Sequence, residues 1–226
     1  MTKRQPPHAG RIRFGGAQTP RGYLFELTAG RLCLDLANTV DERPTEHPRE
    51  LLREYRDVID WAAQAGVIRG TEVARFRDHA ARHEAAATQA LRQLKNAGDS
   101  IFRIYSAVAR AGAIPAAAFH RLNVQIQKVS SKRCLERHRG RFVWTWRTTD
   151  TPDLHRPLCA AVWSAAELLT SPELDRVRQC EGEGCAWLFI DTSKSRTRRW
   201  CDMSVCGNRA KARRYQAKLS APPSVD

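Results

Sequence analysis

The chain lacks any long apolar run. None of its 226 residues belongs to a stretch near the roughly 20 residues that a membrane-spanning helix needs, which excludes an integral membrane protein. Residues 1–21 have no apolar central region, so they do not read as a secretory signal. They also contain no Asp or Glu, and their prolines, glycines and missing amphipathic face read as a disordered basic tail rather than a transit peptide. No nucleophile elbow, phosphate-cradling glycine loop or His–carboxylate constellation is visible, and an enzyme is not expected. Acidic residues are scarce overall: 24 against 38 Lys and Arg, a formal net charge of +14. Such an excess attracts polyanions. It is concentrated late in the chain, where Glu181, Glu183, Asp191 and Asp202 are the only acids between Arg176 and Lys218.

What is present is an unusual arrangement of cysteine. Of the seven cysteines, Cys33, Cys134 and Cys159 are scattered among apolar neighbours and read as core thiols. The other four form two pairs, Cys180/Cys185 and Cys201/Cys206, flanking the interval from Ala186 to Trp200. An odd total without a secretory signal fits a disulfide framework poorly. Four thiolates are what Zn²⁺ requires for a closed tetrahedral structural site, and one zinc is expected on Cys180, Cys185, Cys201 and Cys206. Gly182 and Gly184, inside the first pair, let the backbone aim both sulfurs at one point. Trp187, Phe189 and Trp200 are the expected apolar cover of the metal, with Leu188 and Ile190 alternating to the opposite face.

Two basic segments frame this tetrad. The loop from Asp191 to Arg199 offers hydroxyls together with Lys194, Arg196, Arg198 and Arg199, donors suited to phosphate oxygens. After Cys206, a helix-competent run places Arg209, Lys211, Arg213 and Arg214 around a narrow stripe of Ala212, Tyr215 and Leu219. A helix of this kind could enter a major groove, where Arg contacts guanine. Three other readings stay open: a solvated charged face with Asn208 or Arg209 bonded back to the knuckle, a protein- or RNA-binding module, and a redox or zinc sensor.

Upstream, periodicity predicts a mostly helical α+β domain with a small β-sheet. A strand is expected over 23–27 and a helix over 32–40, with Asp35 and Asn38 sharing one flank. Further helices are expected over 49–65, from Thr71 to Leu94, over 100–111 and over 115–129. His79 and His83 are four apart, but without a third ligand they read as a solvated face. Arg133–Glu136 and Arg141–Trp146 read as a hairpin, with Phe142, Trp144 and Trp146 on one face. Stacking on nucleic-acid bases is one use for those rings, and packing on helices is the commoner one. A helix capped by Asp150 or Thr151 and started by Pro152 follows, its stripe running from Leu154 to Leu169. A strand near Leu174–Gln179 then leads into the zinc module.

Arg198-Arg199-Trp200-Cys201, followed by Cys206-Gly207-Asn208-Arg209-x-Lys211, resembles the CGNR zinc-finger family of bacterial proteins. Gly30-Arg31-Leu32-Cys33-Leu34-Asp35-Leu36-Ala37-Asn38-Thr39-Val40 is similar to the opening of the ABATE domain that precedes that finger. After the basic tail read at 1–21, the resemblance implies an ABATE-like α+β domain at 22–172 and a finger at 173–220 (hairpin, then helix), leaving a short tail at 221–226. It further implies a cytoplasmic, stress-responsive, zinc-dependent transcription regulator that binds DNA, with an N-terminal domain that senses a small-molecule effector; a lone finger offers a small contact surface, so a homodimer through that domain is also expected. Only the resemblance raises a ligand pocket at Asp35 and Asn38. The residues themselves favour bracing of neighbouring backbone, because buried polar groups find structural partners first.

Overall fold

A computed structural model of the chain describes residues 16–20, 22–147 and 151–220, with side chains to residue 217. The expected tail up to residue 15, the cap at Asp150, the tail at 221–226 and the side chains of Lys218 and Leu219 lie outside the described residues. The architecture is α+β and mostly helical, and its strands form small two-stranded antiparallel sheets. Strands β1 (Gly16–Thr19) and β2 (Gly22–Phe25) pair first, so the described part of the expected tail is ordered into a strand. Helix α1 (Leu32–Ala37) ends at Asn38, shorter than its apolar periodicity predicts. The short strands β3 (Val40–Asp41) and β4 (Arg49–Glu50) then pair.

Helix α2 (Tyr55–Gln64) starts later than expected, because Asp57 accepts hydrogen bonds from the backbone N–H groups of Arg53 and Glu54 and caps the helix there. The chain next bends at His83, between α3 (Val73–Arg82) and α4 (Glu84–Ala109). Here the expected boundaries are corrected: the break comes at His83, and the segment around Gly98 continues as helix. Gly98 ends nothing. Its missing side chain lets α4 approach α1, since a Cβ there would sit 3.4 Å from the Leu36 side chain. Helix α5 (Ala116–Ser130) follows Pro115, as that proline's fixed φ favours.

Strands β5 (Arg133–His138) and β6 (Arg141–Trp146) form the expected hairpin, turning through Arg139 and Gly140, both at positive φ. The packing expected of its aromatic face is corrected: Phe142 and Trp144 are exposed, and only Trp146 packs against the core. Helix α6 (Arg156–Leu169) begins four residues beyond Pro152, with Pro157 in its first turn and Asp153 accepting from the His155 N–H at 2.9 Å. A 3₁₀ turn (Pro172–Arg176) then leads into β7 (Val177–Gln179), which pairs with β8 (Leu188–Ile190).

The main core is built from the apolar faces of α1, α2, α4 and α6, and two residues of β8, Leu188 and Ile190, belong to it. Tyr105 ties α4 to α6 by donating to the Ala165 carbonyl at 2.6 Å, and Tyr55 donates to the Leu154 carbonyl. Below α6, Arg156 makes a bidentate pair with Glu72 at 2.7 and 2.9 Å. That guanidinium holds the Glu72 carboxyl down at about 2.

Candidate metal centre and basic surface

The zinc module is a wall of the core. Strand β8 carries Leu188 and Ile190 into the helical domain, while Trp187 and Phe189 point the other way. They meet the sulfurs of Cys180, Cys185, Cys201 and Cys206 and the half-buried Trp200 in a second, separate cluster. One three-residue strand therefore serves two interiors. This is the division of faces expected from the alternation.

All four sulfurs lie within 4.8 Å of one another and are buried. Cys201 Sγ is 3.6 Å from Cys185 Sγ and 3.6 Å from Cys206 Sγ. Tetrahedral Zn²⁺ with Zn–S bonds of about 2.3 Å sets its ligand sulfurs about 3.8 Å apart, so the tetrad fits that ion. Bare thiols at this distance conflict. Hydrogen bonds from Cys185, Cys201 and Cys206 pull the Cys180 thiol far down, and the same contact with Cys180 pushes Cys185 and Cys201 far up. A dication lets every sulfur ionise at once. These four cysteines form one structural zinc site, closed to water and substrate.

Glycine makes the knuckle possible. A Cβ on Gly182 would lie 2.8 Å from Cys206 Sγ, and the Gly182 N–H points to Cys180 Sγ at 3.4 Å. A Cβ on Gly207 would meet the sulfur of the exposed Met203 side chain at 2.4 Å, so that flexible side chain packs over the glycine after the last ligand. The turn there is π-helical, Met203–Gly207, and runs straight into α7 (Asn208–Ser220). Asp202 opens it by accepting from the N–H groups of Ser204 at 2.6 Å and Val205 at 3.0 Å. Asn208 bonds back to the Ser204 carbonyl at 3.0 Å, which makes it a structural member of the motif.

The basic residues divide by what they touch. Arg198 is turned inward: its guanidinium donates to the Trp200 carbonyl at 2.8 Å and to the Cys201 carbonyl, and it lies 4.5 Å from the Phe189 ring. Its backbone N–H goes to buried Asp191, which also takes both donors of Ser193. Burial alone would raise the Asp191 carboxyl, but those donors outweigh it and hold the pKa below its ordinary value. Arg199 pairs with Glu181, and Arg213 with Glu183 at 2.7 Å. Both partners belong to the first cysteine knuckle. Lys194, Arg196, Arg209, Lys211 and Arg214 are exposed, as is every described side chain of α7 except Ala210. Tyr215, expected on a packing stripe, is 66% exposed.

Asp35 and Asn38 are committed to backbone. Asp35 accepts from the Ala29 N–H at 3.0 Å. Asn38, 4% exposed, accepts from the Leu188 N–H and donates to the Leu188 carbonyl, both at 2.9 Å. This pair of hydrogen bonds, made across 150 residues, covers the outer edge of β8 together with the bond from the Ile190 N–H to the Ala29 carbonyl, and is a polar joint between the helical domain and the zinc module. The side-chain types alone could not reveal Leu188 as the partner. The rings of half-buried His79 on α3 and exposed His83 just beyond its end lie 4.2 Å apart between centroids, tilted to each other, and His83 Nδ1 contacts the His79 carbonyl.

A mostly helical core sharing a strand with a four-cysteine site defines a zinc-binding protein. Residues 30–172 match the ABATE family, described as "Putative stress-induced transcription regulator", and the chain belongs to that family. Residues 176–218 match the CGNR zinc finger. No match is found among curated proteins. Neither family description names an enzyme. Among the described residues, no helix is long and apolar enough to cross a membrane.

Proposed function

We propose that the chain is a zinc-dependent DNA-binding transcription regulator whose finger presents α7 and the loop at 191–199 to the duplex. The observation that carries this reading is the unpacked basic helix. A helix of 13 residues that buries almost nothing in its own chain gains little from folding in isolation. Here it is started by the zinc-anchored turn at Met203–Gly207, and it projects Arg209, Lys211 and Arg214 outward.

The chemistry is positional. Zinc holds Cys180–Cys206 as one rigid unit, Arg198 and Asp191 lock the loop, and the exposed cations of both segments meet phosphates. Lys194 and Arg196 on the loop, with Arg209, Lys211 and Arg214 on the helix, form the contact surface. Arg199 and Arg213 exchange their knuckle carboxylates for phosphate on binding. Arg198 supports the surface from inside. Because β8 is held by the Asn38 joint and by two core residues, the finger moves with the helical domain. An effector or a second copy bound to that domain would therefore reorient the finger directly.

Binding of the zinc-loaded chain to a mixed duplex pool across a salt series tests this. Affinity should fall steeply with salt, and Lys211→Ala with Arg214→Ala should reduce the log–log slope by about 1 per lost phosphate contact. Salt-insensitive association, or none with zinc retained, would refute the proposal. A preference for duplex RNA would redirect it to the RNA reading.

A further inference from the structure

The β5–β6 hairpin presents a second surface of a different kind. Directly paired residues of an antiparallel ladder share a face, and the register pairs Arg133 with Trp146, Leu135 with Trp144 and Arg137 with Phe142. One face therefore holds three aromatic rings, one leucine and two arginines. At its base the face is anchored. The Arg133 guanidinium lies 4.6 Å from the Trp146 ring, 4.7 Å from Trp163 and 5.3 Å from Trp144, and Trp163 donates to Glu167 at 2.7 Å. Toward the tip it is open: Phe142 is 74% exposed, Leu135 56% and Trp144 55%. Rings of this size normally bury their area, and a contiguous exposed apolar patch marks a contact site.

The charge of the hairpin selects the occupant. Arg137 shares the face of the open rings and Arg139 stands at the adjoining turn, while Arg141, paired with His138, lies on the other face; Glu136 is the single acid from residue 133 to residue 147. Two such faces would repel each other, and an apolar protein segment would leave the arginines without partners. Exposed π-faces interleaved with arginines match instead the bases and phosphates of an unpaired strand, which duplex DNA hides in its stack. Phe142 and Trp144 stand two residues apart, about 6.8 Å along the strand, giving two separate platforms. The face itself carries only apolar and Arg side chains, with no hydroxyl or amide to read a ribose 2′-OH, so deoxyribose satisfies it fully.

We propose that the β5–β6 hairpin binds single-stranded DNA, stacking bases on Phe142 and Trp144 and placing phosphates against Arg137 and Arg139. The site is separate from the finger and does not require the finger's duplex contact. A fluorescein-labelled 15-nucleotide oligothymidine and a labelled duplex, titrated against the zinc-loaded full chain, test it. Phe142→Ala should weaken single-strand binding roughly 5- to 150-fold, the range for one lost base–aromatic stack, and leave duplex binding unchanged. Lys211→Ala with Arg214→Ala in α7 should leave the single-strand affinity within about twofold, so failure of the finger reading and failure of this one remain distinguishable. Phe142→Ala is the primary variant because its ring is open, whereas Trp144→Ala also disturbs the Arg133 cluster. A single-strand affinity unchanged by Phe142→Ala would overturn the proposal. So would an equal loss on duplex, tighter binding of the matching oligouridine, or a concentration-dependent dimer abolished by Phe142→Ala.

Discussion

Two hairpins of this protein have similar ingredients and opposite fates. Both β5–β6 and β7–β8 interleave aromatic residues with arginine, and both are two-stranded and antiparallel. In β7–β8 every residue of the second strand is buried, because a core lies on one side and a zinc cluster on the other. In β5–β6 the strand tips lie open to solvent. The arginines differ in the same sense: Arg178 of β7 donates to the Asp175 and Val177 carbonyls, while Arg137 and Arg141 are exposed. Alternation thus identifies that a strand has a face. What covers that face is decided by the elements the chain brings to it.

The strongest test of this contrast is metal removal. Apparent binding energies of structural zinc are about 10–16 kcal/mol in finger peptides at neutral pH. Chelation, or Cys180→Ser with Cys206→Ser, should therefore unfold the module and strip one wall from the helical core. The expected readout is release of one zinc per chain with a large drop in the thermal midpoint. An unchanged midpoint after zinc loss would show that β8 holds its place without the metal.

Next in size is the pair Phe189→Ala and Phe142→Ala. Removing the fully buried ring should cost about 3–5 kcal/mol in denaturant unfolding, and removing the exposed one within about 0.5 kcal/mol. Equal costs would mean that the β5–β6 face is covered in solution.

Asn38→Ala probes the joint that makes β7–β8 internal. It strands the N–H and carbonyl of Leu188, at about 1–3 kcal/mol for each buried group left unsatisfied. Unfolding midpoints of this variant and of Asn38→Asp, which keeps an acceptor but sets a buried carboxylate oxygen against the Leu188 carbonyl, should both rank below wild type.

The smallest effect concerns acid. The folded pKa of Asp191 lies below its unfolded value, so its contribution to stability is fully present above the unfolded pKa of about 3.9. That contribution is lost as pH falls through the lower folded value. The thermal-midpoint difference between wild type and Asp191→Asn should begin to shrink as pH falls from neutral toward about 4. A difference independent of pH would mean that the carboxylate charge is not what braces the loop.

Much of the site was legible beforehand because metal ligation is local and strict. Cysteine pairs at fixed spacing, a glycine inside the knuckle and a basic run after the last ligand state their purpose without a fold. The two faces of β8 were readable from simple alternation. Helix boundaries were less readable, since Gly98 looks like a terminator until Leu36 is seen against it, and Asp57 caps α2 from inside a pattern that begins apolar at Leu51. The inward turn of Arg198 was also hidden, because an arginine beside arginines has the same sequence signature whether it faces phosphate or a carbonyl.

By itself the sequence determined the class of the protein: a polycationic chain with one four-thiolate zinc site, a mostly helical partner domain and no membrane span. Those properties depend on residue type and short spacing, which the chain carries wherever it folds. Only the tertiary structure decided that Asn38 grips Leu188, that the finger is a wall of the core, and that one aromatic hairpin is buried while the other is open. Each of these joins residues far apart in the chain, and such pairings exist only once the entropy of closing the intervening loops has been overcome by the packing they create.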